Sequence, residues 1–340
     1  MQLRRPNRLR LAALALVGGM VVAACVGGAD AETASITVYS GRSEALIGPL
    51  IEQFEQENGI DVRVRYGDTA ALAAALLEEG SRSPADVFLS QDAGALGAVE
   101  AAGLLRELPP EMLASVDDTF KSGSDRWVGV SGRARVIVAS THLSTAEQPQ
   151  SIFDLTSEQW RGRVGWAPTN GSFQAFVTAL RELHGDATTE QWLRDMLAND
   201  VQEYPKNTPI VQAVGDGEID VGLVNHYYLF RFLADDPNYP ATNLFTDAAY
   251  AGALINVAGV GVLQSAPDVD AANRFVAYLL AESSQRYFRD ETFEYPLTAG
   301  IAPTNGIPAL DTLQPPSLRL TSLADLEGTL DLLREVGALP

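Results

Sequence analysis

Residues 36–90 read ITVYSGRSEALIGPLIEQFEQENGIDVRVRYGDTAALAAALLEEGSRSPADVFLS, and this stretch decides the fold class. Three short runs of β-forming residues, at 36–40, 60–66 and 85–90, alternate with two segments in which apolar residues recur at helical spacing. The order strand, helix, strand, helix, strand indicates a parallel sheet with right-handed crossover connections. The sequence therefore predicts an α/β protein.

Helix boundaries within this stretch carry ordinary start and stop signals. Gly59 follows the first apolar-periodic segment, 44–58, and predicts the end of that helix. Asp68 or Thr69 can cap the second helix, which extends to about residue 79.

The rest of the chain predicts a second lobe. About 305 residues follow the N-terminal segment, which is more than one comfortable core needs. A long strand candidate over 127–140 could leave the first lobe, and a second apolar stretch over 252–263 could return to it, forming a hinge. Between them, residues 162–228 repeat the α/β pattern.

These crossings set the expected domain boundaries. The first lobe is predicted at 36–131 and 255–315, and the second at 132–254. Residues 316–340 form a C-terminal helical segment whose lobe the sequence leaves open.

The N-terminal segment predicts export and lipid anchoring. Four arginines in the first ten residues precede an apolar run over 11–22 that is too short for a dedicated membrane span, which is typical of a signal peptide. The sequence Val22-Ala23-Ala24-Cys25 resembles the lipobox of bacterial lipoproteins. We therefore expect a signal peptide at 1–24, acylation of Cys25, a tether at 25–35, and a mature protein anchored on the extracytoplasmic face of the cell membrane.

The cysteine count supports this interpretation. Cys25 is the only cysteine in 340 residues, so no internal disulfide can form and an anchoring role explains the residue better than a structural one. An ordinary signal peptide with an incidental cysteine is the alternative.

Charge excludes one class of partner. The chain has 44 acidic and 24 basic residues, for a formal net charge of −20. Nucleic acid is therefore not expected as a partner.

The adjacent tyrosines Tyr227 and Tyr228 are the strongest indication of a site. If a strand ends near Asn225 and a helix begins at Tyr227, both hydroxyls can converge beyond the carboxyl end of the strand, where open α/β sheets bind ligands. Two phenol oxygens suit a hard, highly charged cation, and ferric iron is the natural candidate. The alternative is one tyrosine in the core and the other at the surface.

Five blocks of sequence resemble a known family, and they occur in its order. They are Ile36-Thr37-Val38-Tyr39-Ser40-Gly41, Ser83-Pro84-Ala85-Asp86-Val87-Phe88, Ser131-Gly132-Arg133-Ala134-Arg135-Val136, Trp160-Arg161-Gly162-Arg163-Val164-Gly165 and Asn225-His226-Tyr227-Tyr228. Together they are similar to the ferric-ion-binding proteins of iron ABC importers. The resemblance implies a bilobal type II periplasmic-binding-protein fold that closes on Fe(III) and delivers it, as a monomer, to an ABC transporter permease.

The resemblance also implies which residues hold the iron. Tyr227 and Tyr228 match the two tyrosine ligands. The positions that match the histidine and glutamate ligands of the transferrin-like branch are Ser43 and Gln91, and neither role is carried across, because serine is a poor iron ligand and an amide oxygen is neutral. Other oxygen donors nearby in the sequence are Tyr39, Glu44, Tyr66, Asp68 and Asp92, of which Tyr39 and Tyr66 are possible additional ligands. A buried ring, a helix-start acid or a helix cap is the alternative role for each.

An anion is expected beside the iron. The family places a carbonate or another oxyanion at the positions of Asn170, Gly171 and Ser172, where free amides at a helix start favour a negative ligand. The match makes Asn207 and Asn225 further polar neighbours. From the sequence alone these residues also fit helix caps, with Thr208 as the N-cap of the helix after residue 206.

Arg42 is a further candidate contact for that anion. A solvated loop arginine is the alternative reading of this position.

Other functions have weaker support. His142, His184 and His226 lack metal-motif spacing, and we interpret His226 as a loop residue. No enzymatic activity is expected, although an extracellular hydrolase is the enzyme-class alternative. A binding protein for an oxyanion, polyamine or thiamine-type solute is the other alternative.

Overall fold

The computed structural model describes residues 34–245 and 250–340. The predicted signal peptide, Cys25 and nearly all of the predicted tether lie outside the described residues. No helix in the described part of the chain is long and apolar enough to cross a membrane.

The described residues form ten strands and eleven helices in alternating order. The strands are β1 Ser35–Ser40, β2 Asp61–Tyr66, β3 Val87–Ser90, β4 Val128–Ser140, β5 Val164–Trp166, β6 Gln202–Glu203, β7 Val221–Asn225, β8 Ala241–Leu244, β9 Ile255–Val262 and β10 Tyr295–Pro296. The helices are α1 Glu44–Asn58, α2 Thr69–Glu79, α3 Ala93–Ala101, α4 Pro110–Leu113, α5 Gly171–His184, α6 Asp186–Ala198, α7 Asn207–Asp216, α8 Tyr227–Asp235, α9 Val269–Leu280, α10 Glu282–Asp290 and α11 Leu326–Val336.

One sheet runs through the described residues, and β4 connects its two halves. The strand order is β2-β1-β3-β9-β4-β7-β5-β6, with β8 and β10 also paired to β4. The part of β4 up to residue 134 pairs with β9 and β10, and the part from residue 135 pairs with β7 and β8. We call β1–β3, β9 and β10 the first half, and β5–β8 the second half. Every residue of β4 is buried.

Several local predictions are confirmed by the elements. Helix α1 spans 44–58 and ends at Gly59, whose φ of 64° is the left-handed conformation that glycine adopts at low cost. Asp68 caps α2 by accepting hydrogen bonds from the amides of Ala70 and Ala71. The predicted long strand at 127–140 is β4, and the parallel pairing of β1 with β2 and β3 is as expected.

Other boundaries differ from the prediction. Strand β9 begins at Ile255 because Ala251–Ala253 form a turn of 3-10 helix. The N-cap of α7 is Lys206, so the assignment of Thr208 to that position is wrong. Both differences concern helix ends, where sequence signals are short range.

The C-terminal segment contacts both halves. The 3-10 turn Leu320–Ala324 packs on α3, and a Cβ at Gly94 would lie 2.4 Å from the carbonyl oxygen of Leu323. Helix α11 packs on α5 and α6, and the hydroxyls of Thr178 and Thr329 are 2.7 Å apart. The lobe boundaries stay a prediction.

Candidate metal centre

A cleft of about 690 Å³ lies where the two halves face each other. Its walls are the loops after β1, β2 and β3 on one side and the starts of α5, α7 and α8 on the other. The residues predicted for a site that line this cleft are Arg42, Tyr66, Asn170, Gly171, Ser172 and Tyr228. Ser43 and Gln91, to which no ligand role was assigned, line it as well. The structure therefore brings together candidates that are up to 186 positions apart, as the spacing of Arg42 and Tyr228 shows.

The tyrosine pair occupies the strand–helix junction that the sequence predicts. Strand β7 ends at Asn225 and α8 begins at Tyr227. The two rings stack with centroids 4.2 Å apart and an interplanar angle of 28°. Tyr227 is fully buried, and its hydroxyl makes no hydrogen bond to any residue the structure describes. Burial, with smaller contributions from Tyr228 and Glu294, raises the pKa of Tyr227 well above its usual value.

Arg42, which lines the cleft, belongs to a buried ion pair. The Arg42 guanidinium donates to both carboxylate oxygens of Glu294, at 3.0 and 2.5 Å, and neither side chain is exposed. Burial raises the pKa of Glu294, but Arg42 outweighs it, and the net pKa is lower than usual. Thr292 donates a further hydrogen bond to Glu294 at 2.9 Å. Arg42 is therefore not a solvated loop residue.

Sequence reasoning missed Glu294 as a site residue. It lies 252 positions from Arg42, and no motif connects the two. The run Glu294-Tyr295-Pro296 enters β10, which pairs with β4 at Gly132, and this pairing places the carboxylate against Arg42, which lines the cleft.

Two more buried arginines face the tyrosines from β4. The Arg133 guanidinium is buried and has no hydrogen-bond partner within the described ranges 34–245 and 250–340. Burial lowers the pKa of Arg133, while the nearby Tyr227, Glu294 and Asp92 act to raise it. The guanidinium is the positive charge next to the Tyr227 phenol.

Arg135 occupies the next position on the same side of the strand. It donates to the carbonyl of Leu223 at 2.9 Å and lies over the rings of Phe173 and Phe176, at 5.6 and 5.0 Å. Burial lowers the pKa of Arg135 to about 9. The sequence does contain a signal for these two site residues, since arginines at alternate positions of an apolar strand are rarely buried without a charged partner or ligand.

His226 is the turn residue between β7 and α8, which agrees with its interpretation as a loop residue. Its ring is fully buried, with Nδ1 accepting from the amide of Ala134 at 3.0 Å and Nε2 donating to the carbonyl of Phe293 at 2.9 Å. These partners assign the neutral tautomer, and burial lowers the pKa of His226 to about 4. The histidine thus fixes the backbone before the tyrosines, and both of its ring nitrogens are occupied.

The predicted anion residues lie together at the start of α5. Asn170 is the N-cap, and its Oδ1 accepts from the amide and the hydroxyl of Ser172, at 3.0 and 2.5 Å. The amide nitrogen of Asn207 donates to the same two side chains, at 3.4 and 3.3 Å. Asn170 therefore has the helix-cap role that the sequence analysis gave as the alternative for these residues. Asn225 is buried next to the tyrosines, and its Nδ2 has no partner among the described residues.

The candidate residues of the first half differ in whether they reach the cleft. Ser43 is exposed at the N-cap of α1 and makes no side-chain cap, and Gln91 turns its amide oxygen towards Arg42, at 3.4 Å. Tyr66 lines the cleft, and burial raises its pKa. Tyr39 is not brought to the cleft: its hydroxyl donates to Glu79 at 3.0 Å and accepts from Arg65 at 3.0 Å.

The donor set is phenolic rather than of the zinc type. Within the described residues, no group of three or more His, Cys, Asp or Glu side chains could hold a metal ion. Phenol oxygens and single carboxylates at the cleft are the remaining donors, and they suit a hard cation.

Comparison with protein families identifies the class of protein. Residues 36–294 match the family described as bacterial extracellular solute-binding protein. The chain belongs to this family. Its members bind solutes and are not enzymes. The prediction that this protein is not an enzyme is therefore confirmed, and the hydrolase alternative is removed.

The relatives of this solute-binding chain include iron-binding proteins. It is 34% identical over 325 residues to the major ferric iron-binding protein of Neisseria meningitidis, covering 93% of this chain and 97% of that protein. It is 31% identical over 340 residues to the Fe(3+)-binding periplasmic protein of Serratia marcescens, covering 98% and 100%.

A solved structure gives the same fold. Iron-bound HitA from Pseudomonas aeruginosa superposes with a TM-score of 0.85 at 32% identity, covering 89% of this chain and 99% of that one. The predicted fold class, a bilobal type II periplasmic binding protein, is confirmed.

The buried ion pair generates a prediction about stability. Replacing Glu294 with Gln leaves the Arg42 charge buried without a counter-charge, so the free energy of unfolding should fall by about 3 kcal/mol. Urea denaturation at pH 7 measures this. Because the pKa of Glu294 is depressed, the pair stabilises the fold above the unfolded-state pKa and loses its effect as pH falls through the folded-state pKa, so the difference should shrink in acid.

The control for that measurement is the exposed neighbour Glu291. Glu291→Gln should change the unfolding free energy by less than about 0.5 kcal/mol. Equal stabilities of the two variants at pH 7 would contradict a structural role for the pair.

Proposed function

We propose that this protein is an extracytoplasmic ferric iron receptor, which captures Fe(III) with tyrosinates and a synergistic anion and delivers it to an ABC permease. The observation that carries the proposal is the stacked pair of Tyr227 and Tyr228, with the Tyr227 hydroxyl buried and unpaired among the described side chains. Two relatives more than 30% identical are named for ferric iron binding, and they support the same solute.

The chemistry of the cleft favours a trivalent cation. A buried phenol with no hydrogen bond to the described residues is costly, because it loses water without replacing it. Coordination as phenolate would satisfy that oxygen, and the adjacent Arg133 guanidinium would compensate part of the phenolate charge. Binding does not involve turnover, so the role of the protein is to hold, shield and release the ion.

Iron binding in this mechanism is linked to protons. The pKa of Tyr227 is raised, so the phenol carries its proton at neutral pH before iron arrives. Fe(III) must displace that proton, and ferric affinity should therefore decrease as pH falls. The linkage offers release in an acidic medium without any change in the protein's fold.

The anion would sit at the start of α5. Asn170, Gly171 and Ser172 line the cleft together with Tyr228, and the first amides of a helix favour a negative ligand. The neighbouring Asn207 and Asn225 add polar groups. Carbonate or a similar oxyanion there would occupy coordination positions that two tyrosinates leave open.

Delivery requires a partner in the membrane. We propose that Cys25 is acylated after removal of residues 1–24, and that the lipid holds the receptor as a monomer near its permease. The two lobes, for which we propose the boundaries 36–131 with 255–315 and 132–254, would close over the ion and exclude water.

The tyrosine pair generates the central prediction. Tyr227→Phe and Tyr228→Phe keep the ring and delete one oxygen, so each should lower ferric affinity by at least about 100-fold. Titration with ferric citrate, followed by the visible tyrosinate-to-iron charge-transfer band, measures this. Tyr239→Phe is the control, because that hydroxyl donates to the carbonyl of Val211, outside the cleft. Wild-type colour and affinity in both pair variants would rule out the proposal.

The anion cradle generates a second prediction. Asn170→Ala and Ser172→Ala remove polar groups from the start of α5, and each should weaken iron binding only when bicarbonate is present. Ferric affinity is measured in carbonate-free buffer with and without added bicarbonate, and Ser43→Ala is the control. Tight binding by the wild type that does not depend on any anion would show that protein oxygens complete the coordination shell.

The tether generates a third prediction. Cys25→Ser removes the acylated thiol, and burial of lipid at about 0.8 kcal/mol per methylene is lost with it. The variant should appear in the soluble fraction or stay uncleaved, whereas the wild type should be recovered with membranes. Equal soluble recovery of both forms on cell fractionation would contradict anchoring at Cys25.

A further inference from the structure

The first half lacks the family's histidine and glutamate, which raises the question of what this half contributes. Among the residues the structure describes, the carboxylates that line the cleft are those of Glu44, Asp68 and Asp92. Glu44 and Asp68 are exposed, whereas Asp92 is only 9% exposed. A carboxylate is seldom buried to that extent unless a charge or a ligand compensates it.

The two oxygens of Asp92 have different surroundings. Oδ1 accepts a hydrogen bond from the amide of Ala95 at 2.9 Å and caps α3. Oδ2 is directed across the cleft, where it lies 4.0 Å from the position that a Cβ on Gly171 would occupy. Capping therefore accounts for one oxygen, and the other faces the start of α5.

The neighbours of Asp92 connect it to the tyrosine pair. The Arg133 guanidinium acts electrostatically on both Asp92 and Tyr227, although it donates a hydrogen bond to neither. The adjacent Gln91 directs its amide oxygen to Arg42 instead. The carboxylate of this loop is thus displaced by one position from the family's glutamate position, yet it lines the same cleft.

Tyr66 is the competing oxygen donor from the first half. Its hydroxyl lies 3.8 Å from the Cβ position of Gly48 on α1, and the acids that act on it are Glu44, Glu52 and Glu55. That environment is the acidic face of α1 rather than the tyrosine pair. The charged residues that act on Tyr227 are instead Glu294 and Arg133.

We propose that Asp92 is an iron ligand from the first half, with Oδ2 as the donor atom. The inference rests on the proposed function, since it assumes that Tyr227 and Tyr228 bind Fe(III). Asp92 would supply the negative oxygen that Gln91 cannot, and it would join the two halves through the metal when the cleft is closed. A hard carboxylate oxygen suits ferric iron as a phenolate does.

The test uses Asp92→Asn, which keeps the capping oxygen and removes the charge. Ferric affinity should fall at least tenfold, and the charge-transfer band should move to longer wavelength, because loss of an anionic ligand makes the iron a stronger acceptor. Binding by the variant should also depend more strongly on bicarbonate than binding by the wild type.

Asp268→Asn is the matched control. Asp268 caps α9 through a 2.9 Å hydrogen bond from the amide of Ala271, three residues on, as Asp92 does from Ala95, but Asp268 does not line the cleft. This control should bind iron like the wild type. If Asp92→Asn does not fold, Asp92→Ser retains a capping hydroxyl without a carboxylate and should show the same loss.

The outcomes separate this inference from the function it rests on. Wild-type affinity and an unshifted band in the Asp92 variant, with binding abolished in the Tyr227 and Tyr228 variants, would overturn Asp92 as a ligand and leave the receptor function intact. Retained binding in both tyrosine variants would overturn both. A loss of affinity in the Asp268 control equal to that at Asp92 would attribute the effect to helix capping and would also overturn the inference.

Discussion

Backbone pairing along β4 is the constraint on which the rest of the structure depends. A strand of 13 residues, buried throughout, must satisfy its amides and carbonyls within the protein, and it does so with β9 and β10 over its first part and β7 and β8 over its second. The same strand carries Arg133 and Arg135 to the point where the pairing changes. The same strand therefore connects the two halves and positions the arginines of the site.

Burial of charge is the second feature that organises the cleft. Arg42 has Glu294 as a bidentate partner, but Arg133 has no hydrogen-bond acceptor in the part of the chain that the structure describes. A site with this much buried positive charge is matched to ligands that bring negative charge, such as phenolates and a small anion. In the proposed receptor, the arginines and the ferric ion both favour ionised oxygens, so metal binding and proton release reinforce each other.

The sequence was informative where the determinants were local. The span of α1 with its end at Gly59, the cap at Asp68, and the break between Asn225 and Tyr227 each follow from residues within a few positions. Glu294 and the burial of His226 could not be predicted in this way, because their partners are 252 and 92 positions away in the chain. Which oxygen completes the site is also a long-range property, because the sequence offers Asp92 only as one of five nearby oxygen donors, each of which could instead have a structural role.

The C-terminal segment has a mechanical consequence. It packs on α3 through the turn Leu320–Ala324 and on α5 through α11, and these two helices have Asp92 and Asn170 as their N-caps, on opposite walls of the cleft. The segment thus links the two walls of the cleft through contacts outside the cleft itself. None of residues 316–340, all of which the structure describes, lines the cleft. Any separation of the cleft walls would still have to stretch or shift their contacts with α3 and α5, so residues 316–340 contribute to the stiffness of the protein.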